Sequence, residues 1–201
     1  MTTTGTIDLT AALDGLLADL AALLAGIRPD QEHLPTPCTE YSVADLRSHV
    51  VGWLVAFADG FTHAEGVSSD PGAVVVHGNG SDQARGAASR LVAALASGAA
   101  ERPLVVGGAP MPGVMAARMI LWEYQVHGWD LAVATGQAWR PDVTGLADSL
   151  EFAPGMLTPE FQGPGKAFGP RVDVTANASP LAELLALSGR DPGWRAPDSA
   201  G

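Results

Sequence analysis

Residues 118–137, RMILWEYQVHGWDLAVATGQ, narrow the possible folds more sharply than any other stretch of the chain. The run contains no proline and carries a glycine, Gly136, next to its end. It reads as one helix from about Val114 to Thr135, stopped by Gly136. Glu123, His127 and Asp130 interrupt its apolar character. At about 100° per residue these three positions fall within one stripe. A stripe that faces water would account for them. So would a cation held inside a helical bundle, provided another helix supplies a further ligand.

The remaining pattern predicts the bundle. Leu9, Leu13, Leu16, Leu17, Leu20, Leu23, Leu24 and Ile27 recur at helical spacing over residues 8–27. A proline-rich connection follows, and Ser42 with Asp45 is a capping-box signature opening a second helix. The apolar stripe of that helix runs Leu46, Val50, Trp53, Leu54, Phe57, with His49 on its edge. Residues 63–81 read as a long loop with at most a brief extended piece. A third helix spans about Asp82 to Ser97, and RPLVVGGAPMPG reads as an extended segment closing on a Gly/Pro turn. Residues 142–153 suit a short helix, and Ser179 caps a last one with Pro180 at its first position. No convincing set of strands appears, so the expected class is all-α, a four-helix bundle with a short loop-rich C-terminal extension. The chain reads as one domain over residues 1–201, with the bundle over about 8–155 and the extension over about 156–201.

Charge limits the partners. The formal net charge is -11 with only 11 Lys+Arg, which repels phosphate backbones and anionic membrane surfaces. Nucleic acid and membrane are therefore not expected partners; a small-molecule substrate is, and a homodimer is compatible with the sequence. The N-terminal apolar run has no basic leader, and Asp14 and Asp19 break it, so it reads as neither signal peptide nor membrane span. Cys38 is the single cysteine, so no intrachain disulfide can form, which fits a reducing cytoplasm.

Within a bundle, facing helices project side chains into a shared interior, where metal sites form. His49 with the Glu123–His127 pair offers three ligands, a set suited to a borderline cation such as Zn²⁺ that leaves one position open. The bland alternatives are an exposed Glu-x-x-x-His pair, a satisfied half-buried His49 and a solvated Asp130. The placing of both halves on apolar faces favours a shared partner, because unpaired polar groups there are costly. Cys38 lacks any local nucleophile motif and suits a buried small hydrophobe better. His33, His63 and His77 fall in loops and are expected to be exposed, and Trp53, Trp122 and Trp129 read as core. GNGS is too short for a phosphate loop, and no serine-nucleophile elbow is present.

Three motifs carry a family resemblance. TPCTEYSVADLRSHVVGW resembles the second-helix pattern of DinB-like proteins, in the branch related to the N-terminal domain of mycothiol-dependent maleylpyruvate isomerase. WEYQVHGWDLAVATGQ resembles the Glu-x-x-x-His-x-Trp-Asp-Leu signature of that branch, and SPLAELLALSGRDPGW the tail of its single-domain members. The resemblance implies a DinB-like four-helix bundle binding a divalent metal, usually zinc, through His49, Glu123 and His127. It also implies a thiol cofactor, mycothiol or another low-molecular-weight thiol, at the open metal position. A coordinated thiol ionises near neutral pH, so the expected activity is a thiol S-transferase or isomerase acting on a small electrophile. Asp130, one turn beyond His127, is placed to hold an imidazole in its ligating tautomer. The isomerase carries a further C-terminal domain that the residues after the bundle here are too few and loop-rich to replace. No residue reports thiol recognition directly, and none is assigned to catalysis. A thiol-independent metalloenzyme (Lewis-acid tailoring, cyclising or hydrolytic) and a non-enzymatic metal-binding stress or regulatory protein are the competing readings.

Overall fold

Four of the six α-helices among the described residues begin where a side chain accepts from their free amides. A computed structural model describes residues 7–166 and 168–196; the first six residues and the last five lie outside it. Asp8 accepts from the amides of Thr10 and Ala11 at 3.1 Å and opens α1, Leu9–Ala25. Ser42 and Asp45 form the expected capping box at the start of α2, Val43–Thr62. The third helix, α3, covers Ser81–Ala96, and α4 covers Gly113–Thr135. Gly136 ends α4 at φ 71°, a left-handed conformation that glycine adopts without a Cβ penalty.

These four helices form the bundle. Both α1 and α2 pack against α3 and α4, so α1 lies diagonal to α2. Leu13, Leu17, Leu20, Leu24, Leu46, Leu54, Leu91 and Ile120 fill the shared core. Two hydrogen bonds fix α4 in it. The Tyr124 hydroxyl donates to the Val50 carbonyl on α2 at 2.9 Å, and Gln31 Nε2 donates to the Thr135 carbonyl at 2.9 Å.

The segment expected to be merely extended closes into a hairpin, β1 (Leu104–Val106) with β2 (Ala109–Met111), paired antiparallel. Gly107 and Gly108, at φ 58° and 83°, supply the turn, which needs two consecutive positive φ values. Within residues 63–81 the apolar run AVVVHG forms no strand, while Val67 makes an isolated parallel bridge to Val105.

A second apolar layer lies on the other face of α4. Asp142 caps α5, Val143–Met156, and Ser179 caps α6, Pro180–Leu187. Trp122 and Val126 of α4 pack with Leu146, Ala153, Leu184 and Leu185 of this layer. Covered on two sides, α4 is buried nearly all round, Gln125, His127 and Asp130 included. The residues after the bundle therefore contribute to the core as well as to loops. Among the described residues, no helix is long and apolar enough to cross a membrane.

Candidate metal centre

The 3.6-residue repeat of α4 places Glu123, His127 and Asp130 along one ridge, and burial then decides what each can do. Asp130 is 0% exposed and His127 8% exposed. His127 Nδ1 lies 3.2 Å from Asp130 Oδ2. A carboxylate oxygen facing a ring nitrogen accepts, so Nδ1 carries a proton, and Nε2 becomes available to a ligand once its own proton is displaced. On that side Glu123 Oε2 is 3.3 Å from Nε2.

From the facing helix α2, His49 brings its ring centroid to 5.3 Å from that of His127, edge-on at 73°. Tyr41 and Trp53 flank His49, with centroids 5.2 and 6.4 Å away. The Tyr41 hydroxyl is 3.4 Å from His49 Nδ1. The two imidazoles respond oppositely to this enclosure. Burial, and then repulsion by a charged His127, pushes His49 down to about 4, so it is neutral near pH 7. Burial also works against a charge on His127. Its hydrogen bonds to Asp130 and Glu123 outweigh that effect and push it up to about 9. A positive charge is thus favoured between Glu123 and His127.

The donor set bears on whether a divalent ion fits. Two donors held about 2.0–2.1 Å from one tetrahedral ion stand about 3.3–3.4 Å apart. Glu123 Oε2 and His127 Nε2 have that spacing, at 3.3 Å. Among the described residues, no three His, Cys, Asp or Glu side chains are arranged to hold an ion as they stand. The spacing of the α4 pair is one that a shared ion could take, whereas His49 does not complete a three-ligand set with it in this arrangement.

Other sequence expectations divide. His33, His63 and His77 are exposed. Trp122 is buried, whereas Trp53 and Trp129 are only half-buried at the margin of the core. Cys38 is half-buried, and burial pushes its thiol up despite the pull of Arg190, the reverse of what activates a nucleophilic cysteine. Sequence reasoning missed Arg190. It follows α6, is 6% exposed, and donates from Nε and Nη2 to Asp130 Oδ2 at 3.3 and 3.2 Å. Its signal was a lone arginine directly after a capped apolar helix, inside a motif already noted for its resemblance.

Comparison with known proteins gives the same lineage. The family described as Mycothiol maleylpyruvate isomerase N-terminal domain matches residues 13–132, which include every residue of the ridge and His49. Two proteins of Mycobacterium tuberculosis, one from each of two strains and both described as uncharacterized, are 32% identical over 177 residues. Those alignments cover 85% of this chain and 91% of each relative. No solved structure matches the chain. With an all-α bundle and the matched segment spanning all four of its helices, the chain belongs to the mycothiol maleylpyruvate isomerase N-terminal domain family.

Proposed function

We propose that the protein is a metal-dependent thiol S-transferase or isomerase acting on a small electrophile, with zinc held by His49, Glu123 and His127. The thiol would be mycothiol or a similar low-molecular-weight thiol. The observation that carries the reading is the 3.3 Å spacing of Glu123 Oε2 and His127 Nε2, with Nδ1 of the same ring tied to a fully buried Asp130. Membership of a family described by a mycothiol-dependent isomerase domain supports the thiol.

The chain's own residues each have a task in this reading. Asp130 holds the His127 ring with Nε2 directed at Glu123, which fixes tautomer and orientation together. His49 is neutral near pH 7, so its lone pair is available without the loss of a proton. Tyr41 and Trp53 wall His49 on two sides and limit its access to water. The Glu123 side chain is 23% exposed against 10% for that of His127, so a ligand reaches the group from the Glu123 side. A bound zinc ion would supply the means to ionise an incoming thiol near neutral pH, making it a nucleophile.

Substitution of Co²⁺ for zinc provides the test. Addition of mycothiol or a simple thiol to the cobalt protein should produce a sulfur-to-metal charge-transfer band, lost in His49→Ala. Absence of the band at saturating thiol overturns the thiol part of the reading. Thiol-independent turnover by the metal-loaded protein would then favour a Lewis-acid enzyme, and metal binding without turnover a non-enzymatic role.

A further inference from the structure

We infer that Arg190 is a positioning residue of this centre, acting through Asp130 on the orientation of His127. The inference rests on the metal reading above and extends the site to a part of the chain outside residues 13–132, which carry the family match.

The geometry is a bracket whose two ends both stand on α4. Trp122 Nε1 donates to Ser188 Oγ at 2.9 Å, and Arg190 Nη1 donates to the Ser188 carbonyl at 3.0 Å. Arg190 then returns to α4 at Asp130 through Nε and Nη2. Gly189, at φ 77°, lets the chain turn off α6 so that the arginine can face inward. All of these side chains are buried: Trp122 is 1%, Ser188 1%, Arg190 6% and Asp130 0% exposed. A guanidinium enclosed to this degree is held by its partners, and a lysine cannot reproduce a fork that meets one carboxylate with two N–H groups.

The distribution of hydrogen bonds on Asp130 separates a positioning role from simple tail docking. Both Arg190 donors and His127 Nδ1 meet the same oxygen, Oδ2, while Oδ1 is buried with no partner. Arg190 therefore fixes which carboxylate oxygen His127 receives. Without it, the Asp130 carboxylate can rotate towards either oxygen, and the imidazole loses the constraint that keeps Nε2 on Glu123. A hydrogen-bond partner behind a metal-ligating histidine typically sets affinity by 10–100-fold. Arg190 should have part of that effect, and only by way of Asp130.

The test is a double-mutant cycle on zinc affinity, measured by chelator competition on the full chain. Arg190→Gln should weaken zinc binding by about 10-fold, and Asp130→Asn by about 10–100-fold. The double variant should bind no more weakly than Asp130→Asn alone, because coupled residues in one network do not add. Arg190→Lys should restore little, since it keeps the charge and loses the fork. Additive losses, or unchanged zinc affinity in Arg190→Gln, would overturn the inference. A second readout needs no metal. In metal-free protein, NMR should detect a protected His127 Nδ1–H signal that shifts or broadens in Arg190→Gln, and an unmoved signal would also overturn it. If wild type binds no zinc while that signal responds to Arg190, the metal reading fails and the positioning of His127 stands.

Discussion

The indole of Trp139 lies flat against the backbone of α4 at Gly128, the residue after His127; a Cβ at position 128 would stand 2.1 Å from Trp139 Cζ2. The ring cannot simply withdraw, because its Nε1 donates to the Gln125 carbonyl at 2.9 Å. The chain leaving α4 is thereby tied back over the turn that carries the candidate ligand.

Gly128→Ala sets two effects against each other. Alanine favours a helix interior over glycine by about 0.8–1.0 kcal/mol. Overpacking a fixed contact costs about 1–3 kcal/mol, and a 2.1 Å approach to a braced ring belongs at the upper end. The net outcome should be a loss of about 1–2 kcal/mol, or roughly 2–8 °C in Tm for a domain of this size. Calorimetry on Gly128→Ala beside Trp139→Ala/Gly128→Ala checks it. The double variant, with the ring gone, should no longer show a penalty from the added methyl.

Metal content is the direct check on the ridge. Purified protein should carry one divalent ion per chain, and Glu123→Ala and His127→Ala should carry little. Elemental analysis of the three proteins decides. Equal content in all of them would remove the pair, despite its 3.3 Å spacing, from the site.

Two tryptophans, one packed against the bundle core and one in the second layer, should differ in what they contribute to stability. Trp122 is 1% exposed, stacks on Phe168 with centroids 4.9 Å apart, and satisfies the Ser188 hydroxyl. Trp122→Ala should cost about 3–5 kcal/mol. Trp53 is half-buried, against Phe57 and the edge of His49, so Trp53→Ala should cost about half as much. Urea denaturation of both variants measures the difference; equal losses would show that Trp53 is as deep in the core as Trp122.

What the sequence revealed, and what it concealed, follows from the range of each signal. The span of α4 was legible because no proline breaks it before Gly136, and the capping box of Ser42 and Asp45 marked α2 by an equally local signal. The interruption of two apolar faces pointed to His49, Glu123 and His127. Depth was not legible: periodicity gives the side of a helix but not how far a residue lies from solvent, so Trp53 read as core although it lies at the core's margin. The hairpin escaped notice because each strand has three residues, too few to show alternation. Arg190 could not be paired with Asp130, 60 residues away, because the contact depends on how α5 and α6 stack on α4.

The last prediction concerns pH in chelator-treated protein. His127 sits at about 9 in the fold against an ordinary 6.5, so folding is favoured by its proton. That stabilisation is complete below about pH 6.5 and is lost as pH rises through about 9. His49 sits at about 4 against 6.5. Between those values the unfolded chain binds a proton at His49 that the folded chain refuses, so stability falls as pH drops from about 6.5 through 4. Together the two groups give a maximum near pH 6.5, with an alkaline limb due to His127 and an acid limb due to His49. Urea midpoints from pH 4 to 10 should follow that shape once the slopes of His127→Gln and His49→Gln are subtracted. His127→Gln should lose the alkaline limb alone. Zinc should flatten the same limb, because an ion between Glu123 and His127 supplies the charge that the proton supplied. An alkaline limb of equal depth in wild type and His127→Gln would show that the positive charge favoured beside Glu123 does not reside on His127.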